Sequence, residues 1–250
     1  MSERSQAIVL RAVSKSLIGP LRPIRVLNNA DFSVEHGEFV ALAGSGRSSN
    51  SLLLNLIGGL EMADAGSVMV LGQALDGMDE MERAEWRMRN VGYVFEFFNL
   101  IPALTLLQNV MLPLAVSELG VADRERRARW ALELVGLGGR ELQRPPELAA
   151  VDQQRVAIAR AIVMNPRVLL CDEPTGHLDE EDAQRILALL QTLHMDEQFT
   201  IVLVTRSEAV AAHADRVVHL NPSASPRPEF VQPVPVSQGY AAMTALARGR

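Results

Sequence analysis

The residues best placed to do chemistry stand where apolar runs end. Val168-Leu169-Leu170-Cys171-Asp172-Glu173-Pro174-Thr175-Gly176 closes a strand-like stretch with two adjacent carboxylates. Earlier in the chain, 37–44 reads as a strand running into a glycine turn, and 53–60 reads as the helix that follows. A strand, a glycine turn and a helix N-terminus together can hold a phosphate. Backbone N–H groups point at the anion, and the helix dipole favours its charge. Such a loop is written G-x-x-x-x-G-K-[ST], with the lysine reaching the terminal phosphates. This chain has Gly44-Ser45-Gly46-Arg47-Ser48-Ser49-Asn50-Ser51. Aligned without gaps, Ser49 stands for the second glycine and Asn50 for the lysine. Arg47 then puts a side chain where phosphate oxygens need close backbone approach. Sliding the register by three residues would give Arg47 the lysine's place, at the cost of two compensating length changes in the flanks.

The elements that must position these residues follow from hydrophobic periodicity. Strands are expected at 7–13, 38–43, 91–95, 168–172 and 200–205, and helices at 50–60, 79–90, 122–137, 153–164 and 179–195. Alternating strands and helices predict a mostly parallel sheet covered on both faces. The stretch from about 96 to 165 carries helical patterns alone, which predicts a helical subdomain inserted into the sheet domain. After Leu220 the composition turns Pro- and Ser-rich, and 223–250 reads as a tail with little regular structure beyond a short helix at 241–247. There is no internal repeat.

Several ordered blocks resemble one family. They are 37–61, Val91-Gly92-Tyr93-Val94-Phe95-Glu96-Phe97-Phe98-Asn99-Leu100-Ile101-Pro102, Gln153-Gln154-Arg155-Val156-Ala157-Ile158-Ala159-Arg160-Ala161, and the Asp172-Glu173 block. Over roughly 8–220 the chain is similar to the nucleotide-binding subunits of ABC transporters, nearest to the lipoprotein-releasing and macrolide-exporting group. The resemblance implies an α/β P-loop NTPase fold with a mostly parallel core, an antiparallel N-terminal β part and a helical subdomain, the whole occupying 1–222. It implies ATP and Mg²⁺ as cofactors.

It also assigns roles by position. Gly44, Ser45, Gly46, Arg47, Ser48, Ser49, Asn50, Ser51 and Leu52 fall on the phosphate loop, and Leu17 falls where an aromatic residue stacks on adenine. Ser51, Glu96 and Asp172 fall on metal-associated positions, with Glu96 in place of the family's glutamine. Glu173 is the general-base position and Arg206 the switch-histidine position. Ala149, Ala150 and Val151 occupy the signature motif that clamps the opposite subunit's nucleotide, where Asp152 adds like charge, and Asp179 matches the aspartate of the following loop. Nearly every motif except the strand-end acids is substituted. In a dimer the substitutions reach both composite sites, whether the partner is another copy or a working paralogue. The implied reading is a pseudo-ATPase serving as structural or regulatory partner of a permease. The alternatives are a weakly active or asymmetric ATPase that powers export, and a regulator without a membrane partner. Glu173 without nucleotide needs another partner, and Arg206 is expected to supply it as an ion pair.

Composition narrows the rest. The net charge of −6 argues against nucleic acid as a partner. No apolar run is long enough to span a bilayer, no signal peptide is recognisable, and the lone Cys171 lies in an apolar strand pattern, so it is expected as a buried thiol. The expected location is the cytoplasm, peripheral on the inner face of the cell membrane. There the chain would be a homodimer or heterodimer, gripping a permease through Glu96–Leu114. His177 and His213 have no metal-ligand spacing and read as ordinary polar positions.

Overall fold

Odd and even residues of the central strands part company, and this division organises the fold. In Phe39–Ala43 (β3), Val168–Asp172 (β7) and Thr200–Thr205 (β8), side chains alternate between two faces of one sheet. Phe39, Ala41, Ala43, Leu169, Cys171, Ile201 and Leu203 enter one core, while Val40, Leu42, Val168, Leu170, Val202 and Val204 enter the other. Both faces are covered, so the strands run apolar through their middles rather than alternating with polar residues, with Asp172, Thr200 and Thr205 at strand ends. The computed structural model describes residues 5–18, 24–44 and 47–219, and of 47–49 the backbone alone. The predicted tail at 223–250 lies outside them, as do Ser45 and Gly46.

The parallel sheet is completed by Val91–Val94 (β6) and Arg216–His219 (β9), in the order β6-β7-β8-β3-β9. A second, antiparallel sheet joins Gln6–Leu17 (β1), Ile24–Glu35 (β2), Ala65–Val70 (β4) and Gln73–Ala74 (β5), in the order β2-β1-β4-β5. It packs its apolar face on Arg47–Ile57 (α1), burying Ile8, Leu10 and Phe32 with Leu53, Leu54 and Ile57. The predicted strands at 168–172 and 200–205 match to the residue. β2, β4, β5 and β9 had no counterpart among the predicted strands.

Glu80–Asn90 (α2) precedes β6. Between β6 and β7 the described elements are all helical: Leu106–Met111 (α3), a 3₁₀ turn at Leu112–Val116, Val121–Leu134 (α4), a second 3₁₀ turn at Pro145–Glu147, and Ala150–Ile162 (α5). Their Leu106, Val110, Leu132 and Ile158 share the core on the face that also receives Cys171. Glu180–Glu197 (α6) and Glu208–Ala211 (α7) complete that layer. β6 passes close against α5 at Gly92, where a Cβ would overlap the Ala161 carbonyl.

Candidate functional site

Parallel connectivity puts the C-terminal ends of β3, β8 and β7 side by side. Ala43 is in register with Thr205, and Val204 with Asp172. Residues far apart in sequence therefore share one edge, where open α/β sheets bind their ligands. Gly44 follows β3 with φ 135°. α1 begins at Arg47, three residues before the predicted start, so positions 47–49 form its first turn rather than a loop.

Ser51 and Asp172 meet directly, the Ser51 hydroxyl donating to Asp172 Oδ1 at 2.9 Å. Asn50 is 1% exposed, and its Oδ1 has no hydrogen-bond partner among the described residues. Leu52 is buried in the core beneath α1. Leu17 ends β1 opposite Ile24 and packs, half-buried, on the antiparallel sheet's core.

Glu173 is the most constrained residue of the group. It holds a left-handed backbone at φ 46°, costly for a side chain with a Cβ, and its amide donates to the Val204 carbonyl at 3.0 Å. Its carboxylate is buried, and Oε1 accepts from Arg206 Nε at 2.8 Å. The ion pair expected from the sequence is present. Arg206 leaves the end of β8 with its side chain 52% exposed, so the pair has one dry partner and one wet one. Glu96 borders the same group, since a Cβ on Gly176 would lie 3.6 Å from Glu173 Cβ and 3.8 Å from Glu96 Cγ. Behind the acids, burial and then the Asp172 charge raise the pKa of Tyr93, whose hydroxyl donates to Asn55 Oδ1. Burial likewise raises that of Cys171, a free, buried thiol as expected.

The remaining candidates stand apart from the strand ends. Ala149 is the N-cap of α5 with no side-chain hydrogen bond, Ala150 opens the helix, and Val151 is buried in the core. Asp152 departs from the sequence expectation of a charge added to the clamp. Its Oδ2 accepts from Arg140 Nη1 at 2.7 Å and its Oδ1 lies 3.5 Å from Arg155 Nη1, so its charge is neutralised within the helical layer. The i,i+3 spacing to Arg155 was a legible signal for half of that arrangement. Asp179 caps α6, accepting from the Asp182 amide at 2.8 Å. The His177 ring lies against that of Phe97, centroids 4.6 Å apart and planes tilted by 35°, with Nε2 3.8 Å from Glu96 Oε1. No group of three or more metal-ligating side chains occurs among the described residues.

Comparison with known proteins bears on this geometry. The family model for ABC transporters matches residues 27–176. An uncharacterised ABC transporter ATP-binding protein of Mycobacterium tuberculosis (strain ATCC 25618 / H37Rv) is 43% identical over 198 residues, covering 78% of this chain and 79% of that one. The lipoprotein-releasing system ATP-binding protein LolD of Syntrophotalea carbinolica is 38% identical over 220 residues, covering 88% and 97%. The macrolide export ATP-binding/permease protein MacB of Rhodopirellula baltica is 42% identical over 197 residues, which are 78% of this chain and 29% of that longer protein. Among solved structures, the dimeric ATP-binding cassette MJ0796 bound to ADP and Pi superposes with a TM-score of 0.80 at 33% identity, covering 91% of this chain and all of that one. Strand ends, helical layer and sequence agree: the chain belongs to the ABC transporter family, as an ATP-binding subunit of the LolD and MacB kind.

Proposed function

We propose that this subunit is a pseudo-ATPase, an ATP-binding cassette that serves a permease as a structural or regulatory partner without turning over nucleotide. The observation that carries this is the Arg206–Glu173 pair. At the general-base position, the carboxylate that should polarise a water is instead held by a guanidinium at 2.8 Å. A carboxylate oxygen already accepting a guanidinium N–H has that lone pair engaged and is not free to orient an attacking water.

The residues present do not fit Mg-ATP as the family binds it. Asn50 brings no charge, and its unpartnered Oδ1 is an acceptor that cannot bond a phosphate oxygen. Losing two charged contacts at about 1.5–3 kcal/mol each weakens binding by about two orders of magnitude or more. Leu17 offers adenine no π-face. Ala149 and Ala150 offer a partner's nucleotide no hydroxyl, and Val151 turns its side chain into the core.

Calorimetric titration of the purified chain with Mg-ATP, beside Asn50→Lys, tests the reading. No heat from the unmodified chain is expected; micromolar binding by it would overturn the proposal. A second reading, a weakly active or asymmetric ATPase, is favoured by the surviving Ser51–Asp172 hydrogen bond, which keeps the two metal-associated positions together. In that case Asp172, Ser51 and Glu173 carry the chemistry, with Arg47 or Arg206 supplying phosphate contacts.

The proposed partner surface is Glu96–Leu114. Phe97 is 61% and Ile101 43% exposed, and a groove of about 310 Å³ runs between Phe97, Leu100, Pro102 and Pro145. An exposed aromatic beside an apolar groove suits the short cytoplasmic helix of a permease. Among the described residues no helix is long and apolar enough to cross a membrane. That agrees with a peripheral place on the cytoplasmic face, as a homodimer or beside a working paralogue. Phe97→Asp, tested by co-purification with the cognate permease of lipoprotein-release type, should abolish capture; undiminished capture would remove this surface from the proposal.

A further inference from the structure

The loop bearing Phe97 and Ile101 is held from two sides by side chains that reach its backbone. From α3, the fully buried Asn109 accepts from the Ile101 amide at 2.8 Å and donates to the carbonyls of Ile101, Leu104 and Thr105. From α5, Arg160 donates through Nη2 to the Phe98 carbonyl at 2.8 Å and through Nη1 to the Asn99 carbonyl at 2.6 Å. Asn99 turns the chain there in a left-handed conformation, φ 51°. Among the described residues the half-buried Arg160 guanidinium has no carboxylate partner, and its hydrogen bonds go to the loop. A planar fork that donates to two successive carbonyls fixes orientation as well as distance, which a single-point donor cannot do.

Arg160 lies ten residues beyond Ala150 on the same helix, about 15 Å along it at 1.5 Å per residue. The N-terminal end of that helix is tied in turn to Arg140 through Asp152. We propose that Arg160 is a positioning residue, which fastens the exposed loop to α5 so that the docking surface and the partner-facing end of the helix move as one body. The inference rests on the docking reading above for its purpose, but not for its geometry. It adds a route by which a load on Phe97 reaches positions 149–152 without passing through the nucleotide pocket. Such a connection keeps its value in a subunit that has lost its chemistry.

Amide hydrogen exchange on the full chain tests it without a permease. In Arg160→Gln the Ile101 and Leu104 amides should exchange about tenfold faster, while those of β7 and β8 keep their protection. Arg160→Lys, which retains the charge and one of the two hydrogen bonds, should fall between. Unchanged loop exchange in Arg160→Gln would overturn the proposal. Should that variant lose its fold, Arg160→Lys decides. Acceleration confined to the loop supports a positioning role, and equal acceleration of loop and sheet refutes it. Because no partner is present, a failure here counts against the clamp alone, whereas Phe97→Asp tests docking with the clamp intact.

Discussion

Removing the guanidinium from Arg206 while keeping its stem, as in Arg206→Met, should cost measurable stability, and the structure sets the size. Glu173 is 5% exposed and Arg206 donates to it at 2.8 Å. A hydrogen bond between charged groups contributes about 1.5–3 kcal/mol. The arginine side chain is half in water, however, so screening reduces the net coupling to about 1–2 kcal/mol. For a chain of this size each kcal/mol moves the melting temperature by about 2–4 °C, giving an expected fall of about 2–8 °C. The clean measurement is a double-mutant cycle with Glu173→Gln, following thermal and urea unfolding of the four proteins. The double variant should be more stable than the sum of the single losses by that coupling. If the two losses add to within about 0.5 kcal/mol, the groups do not interact in solution. The argument that Arg206 occupies the general base then fails with them.

Three further outcomes are expected. His194 has both ring nitrogens on acceptors, Nδ1 3.2 Å from the Phe199 carbonyl and Nε2 3.2 Å from Asp215 Oδ2, so only the imidazolium satisfies both. The Asp215 hydrogen bond leads in raising its pKa above 6.5. Its contribution is therefore complete below about pH 6.5 and lost as pH rises through the folded value. Burial lowers His36 and His213, which act in the opposite sense, so the test is the difference between native and His194→Gln stability profiles from pH 5.5 to 8.5, which should narrow as pH rises. Gly92→Ala drives a methyl into the Ala161 carbonyl and should destabilise by about 1–3 kcal/mol in urea unfolding, with a native-like slope. Asn109→Ala removes the partner of the Ile101 amide and the Leu104 carbonyl, while the Ile101 and Thr105 carbonyls keep the Leu104 and Asn109 amides, and should cost about 2–3 kcal/mol by the same assay; loss below about 1 kcal/mol would mean that water replaces the amide.

Strong local patterns were legible in the sequence. β7 and β8 carry uninterrupted apolar runs, 168–171 and 201–204, because both faces are buried, and α2 announces itself by Asp79 and Glu82, which form a capping box. β2, β4 and β9 were not legible. β2 alternates polar residues with Leu27, Phe32 and Val34 on a half-exposed sheet, and a four-residue edge such as Arg216–His219 gives too short a period. The start of α1 was missed because Arg47-Ser48-Ser49 reads as loop composition, whereas packing of Leu53, Leu54 and Ile57 extends the helix backwards over it. Asp152 read as like charge added to the signature motif because the sequence held no hint that Arg140, twelve residues away, folds back onto it.

The sequence by itself determined which chemical groups are available: a lysine absent at position 50, carboxylates at 172 and 173, an arginine at 206, and aliphatic or small residues at 149–151. Those identities, in their order and spacing, were enough for the family and for suspicion of lost catalysis. Tertiary structure decided who meets whom. Only parallel pairing of β3, β8 and β7 puts Arg206 on Glu173 across 33 residues and Ser51 on Asp172 across 121. Only helix packing puts Arg160 on the loop that carries Phe97. Composition and periodicity act over one or two turns of chain, whereas these contacts depend on sheet order, which local sequence does not encode.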